Sequence, residues 1–213
     1  MFIGHFAFSY ILIFLAPSVP PLVPLAGVSF PDILWPLLVL AGIEKVSIDP
    51  ENPLQKAIVF SRYPYSHSLL VGTLIACLPG VVIGLVLGPL PGVIFIIASA
   101  SHWVLDSVVH LKDLPVIGFG KDRNVGLGLW KMGRITFVLE LAFYVAVTLL
   151  VVPSPFTAPL LVIGFLFHLV NANSFLGFSK KNPFGTPNLY AMVALSGFIA
   201  FIVLANSVFT GVL

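Results

Sequence analysis

Eight ionisable residues lie in stretches of this chain that are otherwise almost wholly apolar: His5, Asp32, His67, His102, Asp106, His110, Glu140 and His168. They include all five histidines. An ionisable group at the centre of a membrane-length helix costs about 2.5–3.5 kcal/mol on insertion scales, so each needs a compensating role. Imidazole nitrogen and carboxylate oxygen together suit Zn, Mn or Fe. A metal held by such a set with an open position lowers the pKa of bound water towards about 7. The sharpest pair is His102 and Asp106 in SHWVLDSVVH. On a helix they stand about 40° apart around the axis and about 6 Å along it, so both side chains reach one ion. His110 continues the stripe about 12 Å from His102, too far for easy sharing of one ion. It is left with a second ion, proton transfer or a supporting contact. An Asp can also orient a His ligand instead of ligating, and that division stays open here.

The elements that position these residues follow from composition. Of 213 residues, 59% are hydrophobic and 8% charged, and the mean hydropathy is +1.10. A soluble domain is about 25% charged. This chain cannot cover its surface with polar groups, which excludes a soluble globular protein, a disordered tail and a nucleic-acid-binding module. The single cysteine, Cys77, allows neither an internal disulfide nor a cysteine-based zinc site. The expected fold is therefore all-α, a polytopic transmembrane bundle forming one integral membrane domain over residues 1–213.

A span needs about 20 apolar residues. Segmentation at polar and Pro/Gly-rich breaks gives seven: Met1–Pro17, Leu22–Ile43, Tyr65–Gly88, Leu90–Leu111, Trp130–Val152, Ala158–Phe178 and Leu189–Val212. The first lacks the basic region and cleavage site of a secretory signal and reads as a retained span. Pro24, Pro31 and Pro36 are expected to kink or break the second. With seven spans, eight of the ten Lys and Arg residues fall in the loops on the amino-terminal side, at roughly 44–64, 112–129 and 179–188, and Lys131 and Arg134 lie at the same end of the fifth span. The opposite connections carry none, so the positive-inside rule places the amino terminus in the cytoplasm.

In this topology three helices bring His5, His67 and the set His102, Asp106 and His110 to one leaflet, with Asp32 near the middle of a fourth. His168, beside Asn171 and Asn173, is expected to make a polar interhelical contact. Glu140 either pairs with Arg134 or Lys131 or faces the cluster. Ser66 and Ser68 are expected to cap a helix rather than act as nucleophiles. Tyr63, Tyr65, Trp35, Trp103 and Trp130 suit an interfacial aromatic belt. Lys121, Arg123, Lys131 and Arg134 read as anchors, or as contacts to a phosphate headgroup.

The segments MFIGHFAFSY, FPDILWPLLVLAGIE, YPYSHSLLVG, SHWVLDSVVH with LKDLP, and GLGLW resemble a family of small bacterial and archaeal membrane proteins described as membrane-bound, metal-dependent hydrolases. The H-x-x-x-D pair is also loosely similar to zinc-dependent phospholipase C. The resemblance covers roughly residues 1–140. It implies metal ligation by His5, Asp32, His67, His102 and Asp106. One departure stands out. Many members carry H-R-G-x-T-H-S, whereas SRYPYSHS places Arg62 where the earlier His would stand, removing one ligand of a two-metal centre.

The expected function is a membrane-embedded hydrolase with a divalent metal, zinc ahead of Mn or Fe, acting on a phosphoester or other ester, a phospholipid included. Asp32 or His110 would handle protons. Two alternatives stay open: a metal-ion or proton transporter, and a structural membrane protein whose polar cluster holds helices together. The expected partners are the lipid bilayer and the substrate, without nucleic acid, in a bacterial or archaeal cell membrane.

Overall fold

The computed structural model describes residues 1–213. It is all-helical apart from two small hairpins. The helices are α1 (Ile3–Leu15), α2 (Leu22–Leu40), α3 (Pro64–His67), α4 (Leu69–Leu87), α5 (Pro89–Val109), α6 (Arg134–Val151), α7 (Ser154–Val170), α8 (Ala172–Leu176) and α9 (Pro187–Phe209). One hairpin pairs β1 (Lys45–Ser47) with β2 (Val59–Arg62), and the other pairs β3 (Leu114–Pro115) with β4 (Asn124–Val125).

Five helices, α2, α4, α5, α6 and α9, are long and apolar enough to cross a membrane. The other two expected spans are shorter, α1 with 13 residues and α7 with 17. Pro17 and Pro20 follow α1 directly and cannot continue it. The expected span at 158–178 is divided: α7 ends at Val170, and Asn171 separates it from α8. Two other expected spans also start with a break. Ser68 is extended between α3 and α4, where its hydroxyl caps α4 by accepting from the Gly72 N–H at 3.1 Å. Residues Leu129–Met132 form a 3₁₀ turn before Gly133, and only then does α6 begin. Conversely, α2 runs unbroken through Pro31 and Pro36. Each proline removes one N–H donor, and the helices packed around α2 hold the rest of the ladder.

α2 lies between α1, α5 and α9. At Gly27 a Cβ would meet the Phe95 carbonyl oxygen at 2.9 Å and the Ala98 Cβ at 2.7 Å. This close approach brings the backbone of α2 within reach of side chains on α5. The main core includes Phe6, Tyr10, Val28, Phe95, Tyr144 and Phe201 from five helices. α4 is the outermost long helix, only 17% buried over its apolar window, with Leu74, Leu78, Val81 and Leu85 exposed. Such a continuous apolar face is stable against lipid tails and not against water. All ten Lys and Arg side chains are exposed. The aromatic belt is partly corrected, because Trp35, Tyr63 and Trp130 are buried and enclose the site described next.

Candidate metal centre

Each polar side chain of the centre is set by its place in its helix. His5 sits in the first turns of α1, Asp32 in the middle of α2, and His67 at the end of α3. His102 and Asp106 occupy the last turns of α5, and His110 caps that helix. All are buried except Asp32, which is partly accessible. The six residues named from the sequence therefore meet in one place.

Asp106 is the hub. His5 Nε2 lies 3.1 Å from its Oδ1, while His102 Nε2, His110 Nε2 and His67 Nε2 lie 3.2, 3.4 and 3.8 Å from its Oδ2. The amino group of Met1 stands 2.5 Å from Oδ1. Asp32 is the second carboxylate, with Oδ1 3.2 Å from His67 Nε2 and Oδ2 3.6 Å from His102 Nε2. Two triads bring ligand atoms within 4.8 Å of one another: His5, His102 and Asp106, and Asp32, His67 and His102. These buried groups can hold a metal ion. His102 belongs to both triads and has one nitrogen to offer, so the triads are overlapping parts of one centre.

Hydrogen bonds fix which nitrogens are available. His102 Nδ1 lies 2.7 Å from the Val28 carbonyl, and a carbonyl only accepts, so Nδ1 carries the proton. Nε2 then presents a lone pair to Asp106 and Asp32, and it has no hydrogen-bond partner. His67 is set in the same way. With Glu44 ionised, the Ser66 hydroxyl donates to Glu44 Oε2 at 2.6 Å. Ser66 Oγ is therefore the acceptor for His67 Nδ1 at 2.8 Å, and His67 Nε2 faces Asp32 with a lone pair. Two imidazole lone pairs aimed at two carboxylates repel unless a cation sits among them. That donor set fits a divalent metal.

Glu44 is the principal residue that sequence reasoning missed. It stands just past α2, is 1% exposed, and also accepts from the N–H groups of Tyr65 and Ser66 at 2.8 and 3.0 Å. Burial pushes its carboxyl above the ordinary value, against the pull of these hydrogen bonds. Ser66 is thus a link between Glu44 and His67, while Ser68 is the cap.

His110 lies outside both triads and connects to a second missed pair. Its Nδ1 is 3.2 Å from Asp113 Oδ1 and 3.4 Å from the Tyr63 hydroxyl. Burial and the Asp113 carboxylate hold the Tyr63 phenol well above its usual range, so it remains a donor. The GLGLW segment fastens this corner. Leu127 N–H donates to the Ser107 carbonyl at 2.8 Å and Gly128 N–H to the His110 carbonyl at 2.7 Å. Gly126, at φ +152°, passes so close that a Cβ would collide with the Leu111 carbonyl oxygen. The Trp130 ring then lies 4.1 Å from that of His110.

Glu140 does not pair with Arg134 or Lys131. Its Oε1 accepts from the N–H groups of Phe2 and Gly4 at 2.5 and 3.1 Å, capping α1 beside the centre. His168 makes the interhelical contact expected of it, from Nε2–H to the Phe137 carbonyl at 2.9 Å, away from the cluster. Arg62 is exposed on β2 and supplies nothing to the centre. No family model, curated protein or solved structure matches the chain.

Proposed function

We propose that this protein is a membrane-embedded, metal-dependent hydrolase of the family that its His/Asp motifs resemble, with zinc the preferred ion ahead of Mn or Fe. The observation that carries this reading is the convergence of His67 Nε2 and His102 Nε2 on the carboxylates of Asp32 and Asp106, with the Nδ1 atom of each ring engaged on its other side. A bound divalent ion supplies Lewis acidity and lowers the pKa of a water it holds. His5, His67, His102, Asp32 and Asp106 are the holding residues.

The reaction is addition of water across an ester or phosphoester bond. Oxygen from water bonds to the carbonyl carbon or phosphorus, the ester C–O or P–O bond breaks, and a proton passes to the leaving oxygen. Asp32, the partly accessible carboxylate, accepts the proton from water. His110, held by Asp113 and Tyr63, delivers one to the leaving group. Glu44 and Ser66 keep the proton of His67 on Nδ1, away from the reacting side.

The proposed topology has seven spans, with α1 and α7 as short crossings and the centre towards the cytoplasm. Its support is the one-sided charge. Residues 11–31, 69–101, 141–167 and 189–213 contain no Asp, Glu, Lys, Arg or His, so the spans offer no acidic, basic or imidazole side chain away from the end that carries the centre. A pore for metal ions or protons needs such groups along its length. One-sidedness favours a site over a pathway.

The test is hydrolysis by detergent-purified protein stripped with chelator and reloaded with Zn, Mn or Fe. The substrates are bis-p-nitrophenyl phosphate, p-nitrophenyl phosphate and p-nitrophenyl butyrate. Release of p-nitrophenol from at least one of them, restored by metal and abolished in His102→Ala, is the expected result. No metal-dependent release from any of them overturns the reading.

A further inference from the structure

The centre does not end at its ligands. It forms one end of a cavity of about 610 Å³ whose far end is built by α7 and α9. Asp32, His67, Asp106, His110 and Glu140 lie at the polar end. Phe2, Phe167, Gly197 and Phe198 line the apolar end. Val170, Leu189, Met192 and Val193 belong both to the cavity wall and to the exposed outer surface. The cavity therefore reaches the lipid-facing side between α7 and α9. Its volume falls in the range of about 300–1,000 Å³ common to small-molecule sites.

From this continuity we infer that the cavity is an alkyl-chain site, and that the substrate is an ester or phosphoester of a long-chain amphiphile that enters sideways from the bilayer between α7 and α9. This inference rests on the hydrolase reading above for the word substrate, but the chain site stands on the cavity itself. Three observations favour an alkyl chain over a soluble polar molecule. The lining away from the centre is predominantly apolar. No Lys or Arg lines the cavity, so an anionic water-soluble substrate would find no cation apart from the amino terminus and the metal. The exposed residues at its opening, Val170, Leu189, Met192 and Val193, are all apolar. Because a chain leaves one apolar medium for another, the site gains little affinity from burial. Its contribution is register, holding the ester bond at the His/Asp end.

Gly197 provides the test. The nearest atom to a Cβ built there is Phe2 Cζ at 3.9 Å, so Gly197→Ala fits and Gly197→Phe grows into the chain site. The probe is a one-chain phosphocholine lipid with a photoreactive diazirine near the end of a 16-carbon chain, added to metal-loaded protein in mixed micelles. Expected is labelling of α7 and α9 near Phe167, Gly197 and Phe198, competed by unlabelled hexadecylphosphocholine. Labelling should fall at least tenfold in Gly197→Phe, which retains its metal, and persist in Gly197→Ala. Labelling confined to exposed faces such as α4, or unchanged in a metal-retaining Gly197→Phe, overturns the chain site. If Gly197→Phe loses its metal, the wild-type labelling pattern and its competition decide alone.

The readout needs no turnover, so the two proposals fail separately. Labelling at α7 and α9 without hydrolysis of any ester upholds the chain site and overturns the hydrolase. Metal-dependent hydrolysis indifferent to chain length, without labelling there, does the reverse. Where hydrolysis occurs, fatty acid or phosphorylated headgroup among the products identifies the bond cut.

Discussion

The imidazole rings of His5 and His102 lie face to face, with centroids 3.6 Å apart and planes 7° from parallel. Stacked in this way on helices α1 and α5, they present their Nε2 atoms to the two oxygens of the single carboxylate of Asp106. Two stacked imidazolium ions in a buried site would repel each other strongly. Two neutral rings that bring their Nε2 atoms side by side to one carboxylate are instead suited to a shared cation. This geometry is the simplest reason to read the cluster as a ligand set rather than as helix glue.

Asp106→Asn tests the hub. The substitution keeps the shape of the side chain and removes its charge. It should lower metal affinity by more than the roughly 10–100-fold typical of losing a supporting partner. Competition with a chromophoric chelator measures this. Affinity within twofold of wild type would show that Asp106 is no ligand.

Glu44→Gln should change the pH dependence of stability. Burial raises the folded-state pKa of Glu44, so the fold binds this proton more tightly than the unfolded chain does. Its contribution is fully present below the ordinary carboxyl value of about 4.3 and is lost as pH rises through the raised value. Melting of wild type and Glu44→Gln in detergent from pH 4 to 8 should show wild type losing stability relative to the variant as pH rises. Parallel curves would contradict this assignment.

Glu140→Ala leaves the N–H groups of Phe2 and Gly4 without their acceptor beside the centre. The expected loss is about 1–3 kcal/mol of stability. Glu140→Gln keeps an acceptor and should lose less. Equal losses in the two variants, read by thermal melting, would point to a role for the charge instead.

Gly126→Ala places a methyl group against the Leu111 carbonyl in a conformation that L residues rarely adopt. The cost should exceed about 1 kcal/mol. The loop should then lift, moving Trp130 off His110 and shifting tryptophan emission to the red. An unchanged spectrum with wild-type stability would argue against the tight docking of this loop.

Membrane character and the residues of the candidate centre were legible in the sequence for one physical reason: ionisable groups are so costly in apolar helices that His5, Asp32, His67, His102 and Asp106 stand out individually. The periodicity of α5 carried the His102–Asp106 pairing without any knowledge of the fold. Glu44 and Asp113 were harder to see because they lie in polar loops, where a carboxylate is ordinary. Only the packing of those loops against α3 and the end of α5 gives them partners. Span ends were blurred for a related reason. Hydropathy passes smoothly through Ser68, Gly133 and Asn171, whereas the backbone breaks there to satisfy caps and turns. The hairpins are too short to carry an alternating pattern. Trp35 and Trp130 had the composition of a membrane-interface belt but are used as walls of the site.

The most direct measurement is metal content per chain, by elemental mass spectrometry, of detergent-purified wild type and the His102→Ala/Asp106→Ala variant, each after exposure to zinc and removal of excess. His168→Gln serves as a control, since His168 lies away from the cluster. Near-stoichiometric metal in wild type and His168→Gln, with loss in the double variant while it remains folded, is the predicted result. A folded wild-type protein that holds no metal after zinc, manganese and iron have each been offered would contradict the account at its centre.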